Sequence, residues 1–484
     1  MALGSDFVAT VAASLPADAL IDRPEQLRTY ECDGLTGLRV VPSLVVLPET
    51  TEQVQAVVHA CHTAGVPFVA RGAGTGLSGG ALPVAEGVVV SLTRMNRILE
   101  VDFAGARIVV QPGVTNLQVT EVVTAEGWYY APDPSSQQVC TIGGNVAENS
   151  GGAHCLKYGF TVNHVTGLTV VLPDGQLVRL GGRSLESPGP DLLGVFVGSE
   201  GTLGIATEIT LRVLRRPEAV RTVLAAFDST DAAGAAVSEI VAARILPSAM
   251  EMMDRLTIEA AEAAVHPGYP DANALLLVEV DGPAPQVEED LAAVEAICRG
   301  CGAWEIRTAA SDHERALLWK GRKSAFAAMG RVSSDYYVQD GVVPRTKLPE
   351  VLRRIDDLSR EYGLRVGNVF HAGDGNLHPL VLYDARAEGE PERARALAEA
   401  ILEACIDAGG SLTGEHGIGV DKACSMPLLF GAEDLEAMQR VRYAFDPAGL
   451  CNPGKVFPTP RLCGEVPGPY RVHPLEQAGL AERL

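Results

Sequence analysis

Two histidines flank a short turn sequence in the segment Asn368-Val-Phe-His371-Ala-Gly-Asp-Gly-Asn-Leu-His378. The Asp-Gly dipeptide favours a tight hairpin turn, so this pattern predicts a strand, a turn and a strand, with His371 and His378 on facing strands. Side chains opposed across such a hairpin have Cβ atoms about 4.5–5.5 Å apart. Two imidazoles held in this way suit a divalent metal; the alternative is a polar hairpin whose histidines bond to the backbone.

A third metal ligand would have to come from another part of the chain. The sequence Gly414-Glu415-His416-Gly417 offers Glu415 as a carboxylate ligand on a glycine-flanked turn. Two histidines and one carboxylate leave a coordination position open, as a catalytic metal site requires, and zinc, manganese and iron all accept this ligand set. His416 is the candidate general base, because imidazole titrates near neutral pH.

A cationic side chain for holding a carboxylate occurs in Trp319-Lys-Gly-Arg322-Lys-Ser. Arg322 is the candidate, since a guanidinium group can bind a carboxylate through two parallel hydrogen bonds. Lys320 and Lys323 on the same predicted helix are interpreted as surface charges. Asn376, inside the predicted hairpin, is placed to support the site.

Three glycine-rich segments occur at residues 71–80, 141–152 and 198–204. Positions without a side chain allow backbone N–H groups to converge on an anion. One such segment alone is typical of an ordinary turn. Three of them in this part of the chain favour a cofactor-binding cradle.

The first segment contains Gly74-Thr-Gly76-Leu-Ser-Gly79, which matches the glycine spacing of dinucleotide-binding Rossmann folds. That motif requires a helix directly after the glycines, so that the helix N-terminus can hold a pyrophosphate. Here Pro83 and Gly87 follow, and both residues disfavour a helix. The context therefore argues against a Rossmann-type NAD site.

The apolar pattern indicates which elements position these residues. From Pro42 to about Val213, short β-rich runs alternate with glycines; residues 51–65 read as a helix with Thr51 as N-cap and Gly65 as stop signal. Beyond the main boundary near Pro217, alanine-rich helices alternate with single strands, and glycine-rich strands return at residues 366–420. We predict an α+β chain with an N-terminal helical segment (1–41), a cofactor domain (42–217), a substrate and metal domain (218–457) and an extended tail (458–484).

Composition narrows the possible functions further. The 484 residues carry 39 basic and 61 acidic side chains, a net charge of −22, which has the wrong sign for binding nucleic acid. No apolar run is long enough to span a membrane. The N-terminal residues resemble a surface helix more than a signal peptide, so we expect a cytoplasmic protein. Cys298 and Cys301 lack the second cysteine pair that a structural zinc site needs, and are interpreted as a coincidence at a helix end.

Longer stretches carry a family resemblance. The segments VPFVARGAGTGLSGGALP, APDPSSQQVCTIGGNVAENSGGAHCLKYG and GSEGTLGI resemble the FAD-binding domain of the vanillyl-alcohol oxidase/p-cresol methylhydroxylase (PCMH) superfamily. FHAGDGNLHP, GEHGIG and FDPAGLCNPGK resemble its FAD-linked D-2-hydroxyacid dehydrogenase branch, and within it the flavin subunits of glycolate oxidases. The motifs follow the family order and cover nearly the whole chain.

The resemblance implies a PCMH-type FAD-binding domain of two subdomains, then an α+β substrate or cap domain, and a C-terminal segment that returns to the flavin. It places metal ligands at the positions of His371, His378 and Glu415, and the FAD pyrophosphate on the loop at residues 71–79. The implied cofactor-binding residues are Arg71, Gly72, Gly74, Thr75, Gly76, Ser78, Gly79, Pro132, Asp133, Thr141, Gly143, Gly144, Asn145, Asn149, Gly151, Glu200, Gly201, Gly204, Ile205 and Asn452.

The implied activity is FAD-dependent oxidation of a short 2-hydroxy acid, glycolate to glyoxylate and also D-lactate to pyruvate. A divalent metal would assist removal of the hydroxyl proton, and hydride would pass to flavin N5. The alternatives are a D-lactate dehydrogenase with a cytochrome or quinone acceptor, a D-2-hydroxyglutarate dehydrogenase, or an electron-carrying flavoprotein module. Because no nucleophile stands beside Gly79-Gly80-Ala81, we expect non-covalent FAD; a covalent link at His154 or Cys155 is the alternative.

The resemblance also implies partners and a substrate size. The expected partners are a second FAD-domain subunit and an iron–sulfur subunit, which would bring the protein to the inner membrane face.

Relatives that oxidise D-2-hydroxyglutarate carry a lysine for the second carboxylate in a stretch resembling residues 336–340. Val338 aligns with that lysine here, which favours glycolate and D-lactate, whereas a shift by one residue would put Gln339 there.

Overall fold

The computed structural model describes residues 3–184, 189–459 and Cys463. The chain forms two compact units. The first unit comprises the residues up to Gly151, Phe160–Arg215 and the residues from Glu415 onward; the second comprises Gly152–Gly159 and Arg216–Gly414. These units are defined by the compactness of the folded chain, whereas the predicted domains were defined from the sequence. The predicted domain bounds therefore stay a prediction. Of the predicted extended tail, residues 460–462 and 464–484 lie outside the described residues.

The strands of the first unit form a small mixed sheet, an antiparallel sheet and a separate pair of strands. They are β1 (Leu20–Ile21), β2 (Leu44–Val46), β3 (Phe68–Arg71), β4 (Val88–Ser91), β5 (Ile98–Asp102), β6 (Arg107–Val110), β7 (Trp128–Tyr129), β8 (Val165–Val171), β9 (Leu177–Gly181), β10 (Ile205–Arg212) and β11 (Leu214–Arg215). The first sheet has the order β1-β2-β4-β3, with β2, β4 and β3 parallel. The second has the order β5-β6-β10-β8-β9, and β11 pairs with β7.

The second unit is built on one large antiparallel sheet of order β15-β12-β14-β13-β18-β19-β17, with β20 pairing β18 and β16. Its strands are β12 (Ala219–Phe227), β13 (Ala249–Asp254), β14 (Ala274–Gly282), β15 (Glu305–Thr308), β16 (Asp335–Val338), β17 (Gly341–Val342), β18 (Val366–His371), β19 (Asn376–Leu377) and β20 (Pro379–Tyr383).

The helices lie between these strands and after them. They are α1 (Ser5–Ala13), α2 (Pro24–Leu27), α3 (Thr51–Ala64), α4 (Asn116–Val123), α5 (Ile142–Glu148), α6 (Cys155–Tyr158), α7 (Leu192–Phe196), α8 (Thr230–Ala242), α9 (Arg255–Val265), α10 (Ala284–Gly300), α11 (Asp312–Met329), α12 (Leu348–Tyr362), α13 (Glu390–Asp407), α14 (Met426–Leu429) and α15 (Ala432–Phe445). The helix predicted at residues 51–65 is confirmed as α3, which lies between β2 and β3 in the chain.

Local capping explains the ends of α3. Its N-cap is Thr50, whose side chain accepts a hydrogen bond from the Gln53 N–H, so the prediction of Thr51 was wrong by one residue. Two adjacent threonines both satisfy the capping preference, and the backbone of Thr50 is the one that is extended. Gly65 ends the helix in the left-handed conformation at φ +66°, as predicted.

The sheet of the second unit buries an apolar core on each face. Helices α8, α10, α12 and α13 cover one face, and α9 and α11 cover the other. Alternation along the strands follows this arrangement: Met250 and Met252 of β13 point to the first face, and Met253 to the second. We call the side covered by α9 and α11 the α9/α11 face; it carries the polar residues discussed below.

Candidate functional site

The glycine loop at residues 71–80 follows β3 directly in the first unit. The Gly34 N–H donates to the Gly76 carbonyl (2.8 Å), and the Asp33 carboxylate accepts the N–H groups of Leu35 and Ala81. Asp33 is buried, and burial raises its pKa. Sequence reasoning missed Asp33, because it lies 38 residues before Arg71 in a segment without a motif.

The loop folds over the buried guanidinium group of Arg71. At Gly74, with φ +71°, an added Cβ would collide with that group. At Gly72 an added Cβ would collide with the Thr141 hydroxyl, which brings the first glycine segment against the second. As expected from Pro83 and Gly87, no helix occurs between β3 and β4, all of whose connecting residues the structure describes. Gly72 and Gly74 are therefore required by close packing of this loop.

The second glycine segment is a helix rather than the loop that its glycines suggested. Helix α5 begins after Thr141, whose hydroxyl accepts the Gly144 N–H and caps the helix N-terminus. Two glycines in the first turn cost helix propensity, but the threonine cap offsets part of that cost. Among the predicted flavin residues, Asn145 is buried and accepts a hydrogen bond from Asn116, and Asn149 ends the helix at φ +51°.

The third segment places Glu200 beside the chain after residue 415. Its carboxylate oxygens accept the N–H groups of Ile418 and Gly419, both at 2.6 Å. Glu148 lies close by, because a Cβ at Gly417 would collide with its Oε2 and lie 2.9 Å from the Glu200 Oε1. Burial raises the pKa of both carboxyl groups, and that of Glu148 is raised further by Glu200. Glu148 was not among the predicted site residues.

Asn452 joins the first and third segments. Its amide donates to the carbonyls of Gly80 (2.9 Å) and Glu200 (2.6 Å), while the Ser78 carbonyl accepts the N–H groups of Val420 and Asp421. Within the described residues, the buried Ser78 Oγ and Asn452 Oδ1 have no hydrogen-bond partner. A close-packed glycine cradle with such polar atoms fits a large polar cofactor such as FAD.

The Gly417 position gives a stability prediction. Gly417→Ala forces a side chain into φ +83° and against two carboxylates, so we expect a loss of about 2–4 kcal/mol. Gly65→Ala is the matched control, because φ is +66° and nothing lies within 4 Å of the added Cβ; its expected cost is about 1 kcal/mol. The temperature of FAD release, followed by flavin fluorescence, measures both variants. Equal shifts would contradict the close packing at Gly417.

The two histidines of the second unit are adjacent, as the Asp-Gly turn predicted. The rings of His371 and His378 have centroids 5.2 Å apart and are nearly perpendicular, at 87°. Gly375 makes the turn at φ +82°. The cross-strand partner of His371 is Asn376, since His378 follows the end of β19. The two rings therefore lie side by side as expected. The residue opposite His371 in the hairpin is however Asn376, two positions before His378.

A buried carboxylate on the neighbouring strand contacts His371. Glu251 of β13 pairs with His371 in register, and its Oε1 lies 2.7 Å from the ring Nδ1. Its Oε2 forms an ion pair with the Arg322 Nη2 at 2.6 Å. The predicted role of Arg322 as a carboxylate clamp stays a prediction, and in this structure its carboxylate partner is Glu251. Lys320 is exposed, as predicted, whereas Lys323 is half-buried near the Trp319 ring.

A second carboxylate, Asp340, lies near His378. Its Oδ1 is 3.6 Å from the His378 Nε2, and it accepts hydrogen bonds from the Thr413 hydroxyl and the Gly414 N–H. A Cβ at Gly414 would lie 2.5 Å from the Asn376 Cγ, so Asn376 also belongs to this cluster. The next residue in the chain is Glu415. Asp340 was missed because only the fold brings it near a histidine.

Glu415 and His416 begin the last part of the first unit. The His416 Nε2 lies 3.9 Å from the Glu415 Oε1. A Cβ at Gly151 would lie 2.9 Å from the Glu415 Oε2, which accounts for the glycine there. Within the second unit, two adjacent imidazoles, one of them oriented by a carboxylate, suit a divalent metal. The set His371, His378 and Glu415 stays a prediction.

The alternative attachment residues His154 and Cys155 lie in the second unit. The His154 ring stacks on Trp319 with centroids 5.7 Å apart, and its Nε2 is 3.4 Å from the Glu279 Oε1. Cys155 is buried. Glu279 also accepts hydrogen bonds from Arg315 and the Trp319 indole. These contacts tie His154 into the core of its own unit.

The position aligned with the substrate-size lysine lies at the end of β16. Val338 packs against the core of the α9/α11 face. Phe326 packs against the same core and makes an edge contact with His378, with centroids 5.7 Å apart. Gln339 is buried, and among the described residues its Oε1 has no hydrogen-bond partner. This part of the chain therefore offers an apolar side chain at residue 338 and a polar one at residue 339.

Comparison with known proteins gives two family matches. Residues 42–181 match the FAD-binding domain, and residues 216–456 match the C-terminal domain of FAD-linked oxidases. None of the described helices has the length and hydropathy to cross a membrane.

Individual relatives agree with these matches. The chain is 50% identical over 460 residues to glycolate oxidase subunit GlcD of Escherichia coli K12, covering 95% of this chain and 92% of the relative. It is 34% identical over 425 residues to a D-lactate dehydrogenase of Anaerostipes hadrus, covering 86% and 89%. The solved structure of p-cresol methylhydroxylase has the same fold, with a TM-score of 0.78, 20% identity, and coverage of 93% and 96%. The expected PCMH-type α+β fold is confirmed, and the chain belongs to the family of FAD-linked oxidases.

Proposed function

We propose that this protein oxidises short 2-hydroxy acids with FAD, glycolate to glyoxylate first and D-lactate to pyruvate second. The observation that carries the proposal is the adjacent pair His371 and His378 on a carboxylate-braced hairpin. Likeness to glycolate oxidase subunit GlcD over 95% of the chain supports this substrate class. The similarity to D-lactate dehydrogenases supports D-lactate as the second substrate.

The cofactors supply two kinds of chemistry. FAD, when bound by the glycine cradle, accepts hydride at N5. A divalent metal, which His371, His378 and Glu415 would hold, acts as a Lewis acid on the substrate oxygens, and zinc, manganese or iron suits this donor set.

The protein's own residues bind the substrate and move its proton. Arg322 holds the substrate carboxylate, because its guanidinium group is buried and presents several donors in a plane. His416 accepts the hydroxyl proton on an imidazole nitrogen. Asn376, buried beside Gly414, donates its amide hydrogens to a substrate oxygen.

The carrier alternative makes a different prediction for the bound flavin. Glycolate or D-lactate added without oxygen should bleach the flavin absorbance near 450 nm in the isolated protein. An electron-carrying module would keep its yellow colour with glycolate, D-lactate and D-2-hydroxyglutarate. Such a result would refute the proposed function, while faster bleaching by D-lactate than by glycolate would favour the D-lactate dehydrogenase alternative.

We expect FAD to be held without a covalent bond. The glycine cradle has no nucleophile beside residues 79–81, and His154 is stacked on Trp319 in the second unit. Acid precipitation should therefore leave the yellow colour in the supernatant. Colour in the precipitate would contradict this expectation, and peptide mapping would then show whether His154 or Cys155 carries the flavin.

Partners and location belong to the same proposal. A second FAD-domain subunit and an iron–sulfur subunit would pass the electrons onward and hold the protein, which we expect to be cytoplasmic, at the inner membrane. The name of the E. coli relative, a subunit, supports an assembly. Gel filtration of the chain with and without its genomic neighbours tests this proposal. Full activity of the chain alone with a quinone would contradict dependence on partners.

A further inference from the structure

Glu251 is an acidic residue among the apolar side chains of β13, whose sequence is Ala249-Met-Glu-Met-Met-Asp254. Its side chain is 1% exposed. A buried carboxylate costs several kcal/mol unless charged or hydrogen-bonding partners surround it. The strand pattern alone would favour an apolar residue here, so the partners of Glu251 must account for it.

Each oxygen of Glu251 has a partner with a proposed role in the reaction. Oε1 lies 2.7 Å from the Nδ1 of His371, and Oε2 lies 2.6 Å from the Nη2 of Arg322. The partner side chains are 6% and 3% exposed, so water does not screen these contacts. One carboxylate thus joins a proposed metal ligand to the proposed substrate clamp.

The contact with His371 fixes which ring nitrogen carries the hydrogen. An ionised carboxylate only accepts hydrogen bonds, so the Nδ1 that faces it carries the hydrogen. The neutral imidazole then has its lone pair on Nε2, the atom that would bind a metal. Carboxylate–histidine pairs of this kind commonly orient metal-binding histidines.

The contact with Arg322 restrains the guanidinium group. Nη2 and Oε2 form an ion pair at 2.6 Å, so a rotation that separated them would break an ion pair in a buried environment. Among the described residues, the buried Arg322 Nε and Nη2 have no hydrogen-bond partner, so donor capacity remains for a carboxylate from the substrate.

We infer that Glu251 is a positioning residue that orients His371 toward the metal and Arg322 toward the substrate carboxylate. This inference rests on the proposed function. The two roles have different requirements. Orienting His371 needs only an oxygen that accepts a hydrogen bond, whereas orienting Arg322 needs a negative charge.

Glu279 provides a matched control on the next strand. It is 1% exposed, it lies on the α9/α11 face, and it is ion-paired with Arg315 at 2.7 Å. Neither histidine of the hairpin is among its contacts in the described part of the chain. Replacing Glu279 therefore removes a similar buried charge without touching His371 or Arg322.

The test compares Glu251→Ala, Glu251→Gln and Glu279→Gln as FAD-loaded proteins. Zinc affinity is measured with a competing chelator, and KM and kcat are measured with glycolate. Zinc affinity of Glu251→Ala should fall about 10–100-fold. Glu251→Gln keeps an oxygen for Nδ1, so its zinc affinity should stay within about threefold of the parent, but its KM should rise at least about tenfold because the amide cannot pair with Arg322. Glu279→Gln should resemble the parent in both.

Several results would overturn the inference. Zinc affinity of Glu251→Ala equal to that of the parent would do so, as would an equal loss in Glu279→Gln. An unchanged KM in Glu251→Gln would show that Glu251 does not orient Arg322. This measurement can still be made if Glu251→Ala fails to fold. Failure of the proposed function looks different, because the parent protein would then bind no zinc and no 2-hydroxy acid would bleach its flavin.

Discussion

His371→Ala protein should bind FAD normally but show no measurable oxidation of glycolate. The flavin cradle lies in the first unit and His371 in the second, so the substitution leaves every residue of the cradle unchanged. Loss of the metal should remove several kcal/mol of barrier lowering, a decrease of at least about a thousandfold in kcat. Glu415→Ala should behave in the same way. Metal content, flavin absorbance and turnover are measured on one preparation. They check the loss of the metal, the retention of FAD and the loss of glycolate oxidation.

His416→Ala provides the contrast within this experiment. His416 is the proposed base and binds neither the metal nor FAD, so the His416→Ala variant should keep both. The rate of flavin reduction in stopped flow should fall by about 10²–10⁴-fold, with a smaller change in substrate binding. Full activity in metal-stripped His371→Ala protein would end the metal hypothesis. An unchanged rate of flavin reduction in His416→Ala would remove His416 from the reaction.

The second large effect concerns the size of the substrate. D-2-hydroxyglutarate should be oxidised with kcat/KM at least about a hundredfold below that of glycolate, because its second carboxylate would meet Val338. A buried carboxylate without a partner costs several kcal/mol. D-lactate should differ from glycolate by only about 1–3 kcal/mol, the usual effect of one methyl group in an apolar pocket. Steady-state kinetics with the three acids provides the comparison.

Gln339→Leu tests the alternative alignment, in which Gln339 meets the substrate. If Gln339 held a second carboxylate, its buried amide would support D-2-hydroxyglutarate, and Gln339→Leu would abolish that activity selectively. With Val338 at the substrate, Gln339→Leu should affect the three acids alike. A kcat/KM for D-2-hydroxyglutarate equal to that for glycolate would show that the pocket argument is wrong.

Local sequence predicted the features that depend on neighbouring residues. The Asp-Gly turn brought His371 and His378 together, and the glycines after β3 indicated a cradle without a Rossmann helix. The predicted N-cap of α3 was wrong because two adjacent residues, Thr50 and Thr51, can both cap a helix. Prediction also failed where a capped helix replaced an expected loop at α5.

Residues that act through tertiary contacts could not be identified from the sequence. Glu251 lies 120 positions before His371, and Asp340 lies 38 before His378. The partnership of Glu251 and His371 depends on the register between β13 and β18, which no nearby turn determines. The signal that could have pointed to Glu251 is an acidic residue flanked on both sides by the methionines of a strand.

The order in which the chain is synthesised has a consequence for when the flavin can bind. The polypeptide passes from one compact unit to the other at residues 151–152, 159–160, 215–216 and 414–415. The Phe68 N–H donates to the Leu450 carbonyl, and Asn452 reaches Gly80. A nascent chain that has just released its family-matched FAD domain from the ribosome therefore lacks the residues that close the cradle. Cofactor loading must wait until residue 452 has left the ribosome, and a fragment ending at Arg215 should be made without flavin.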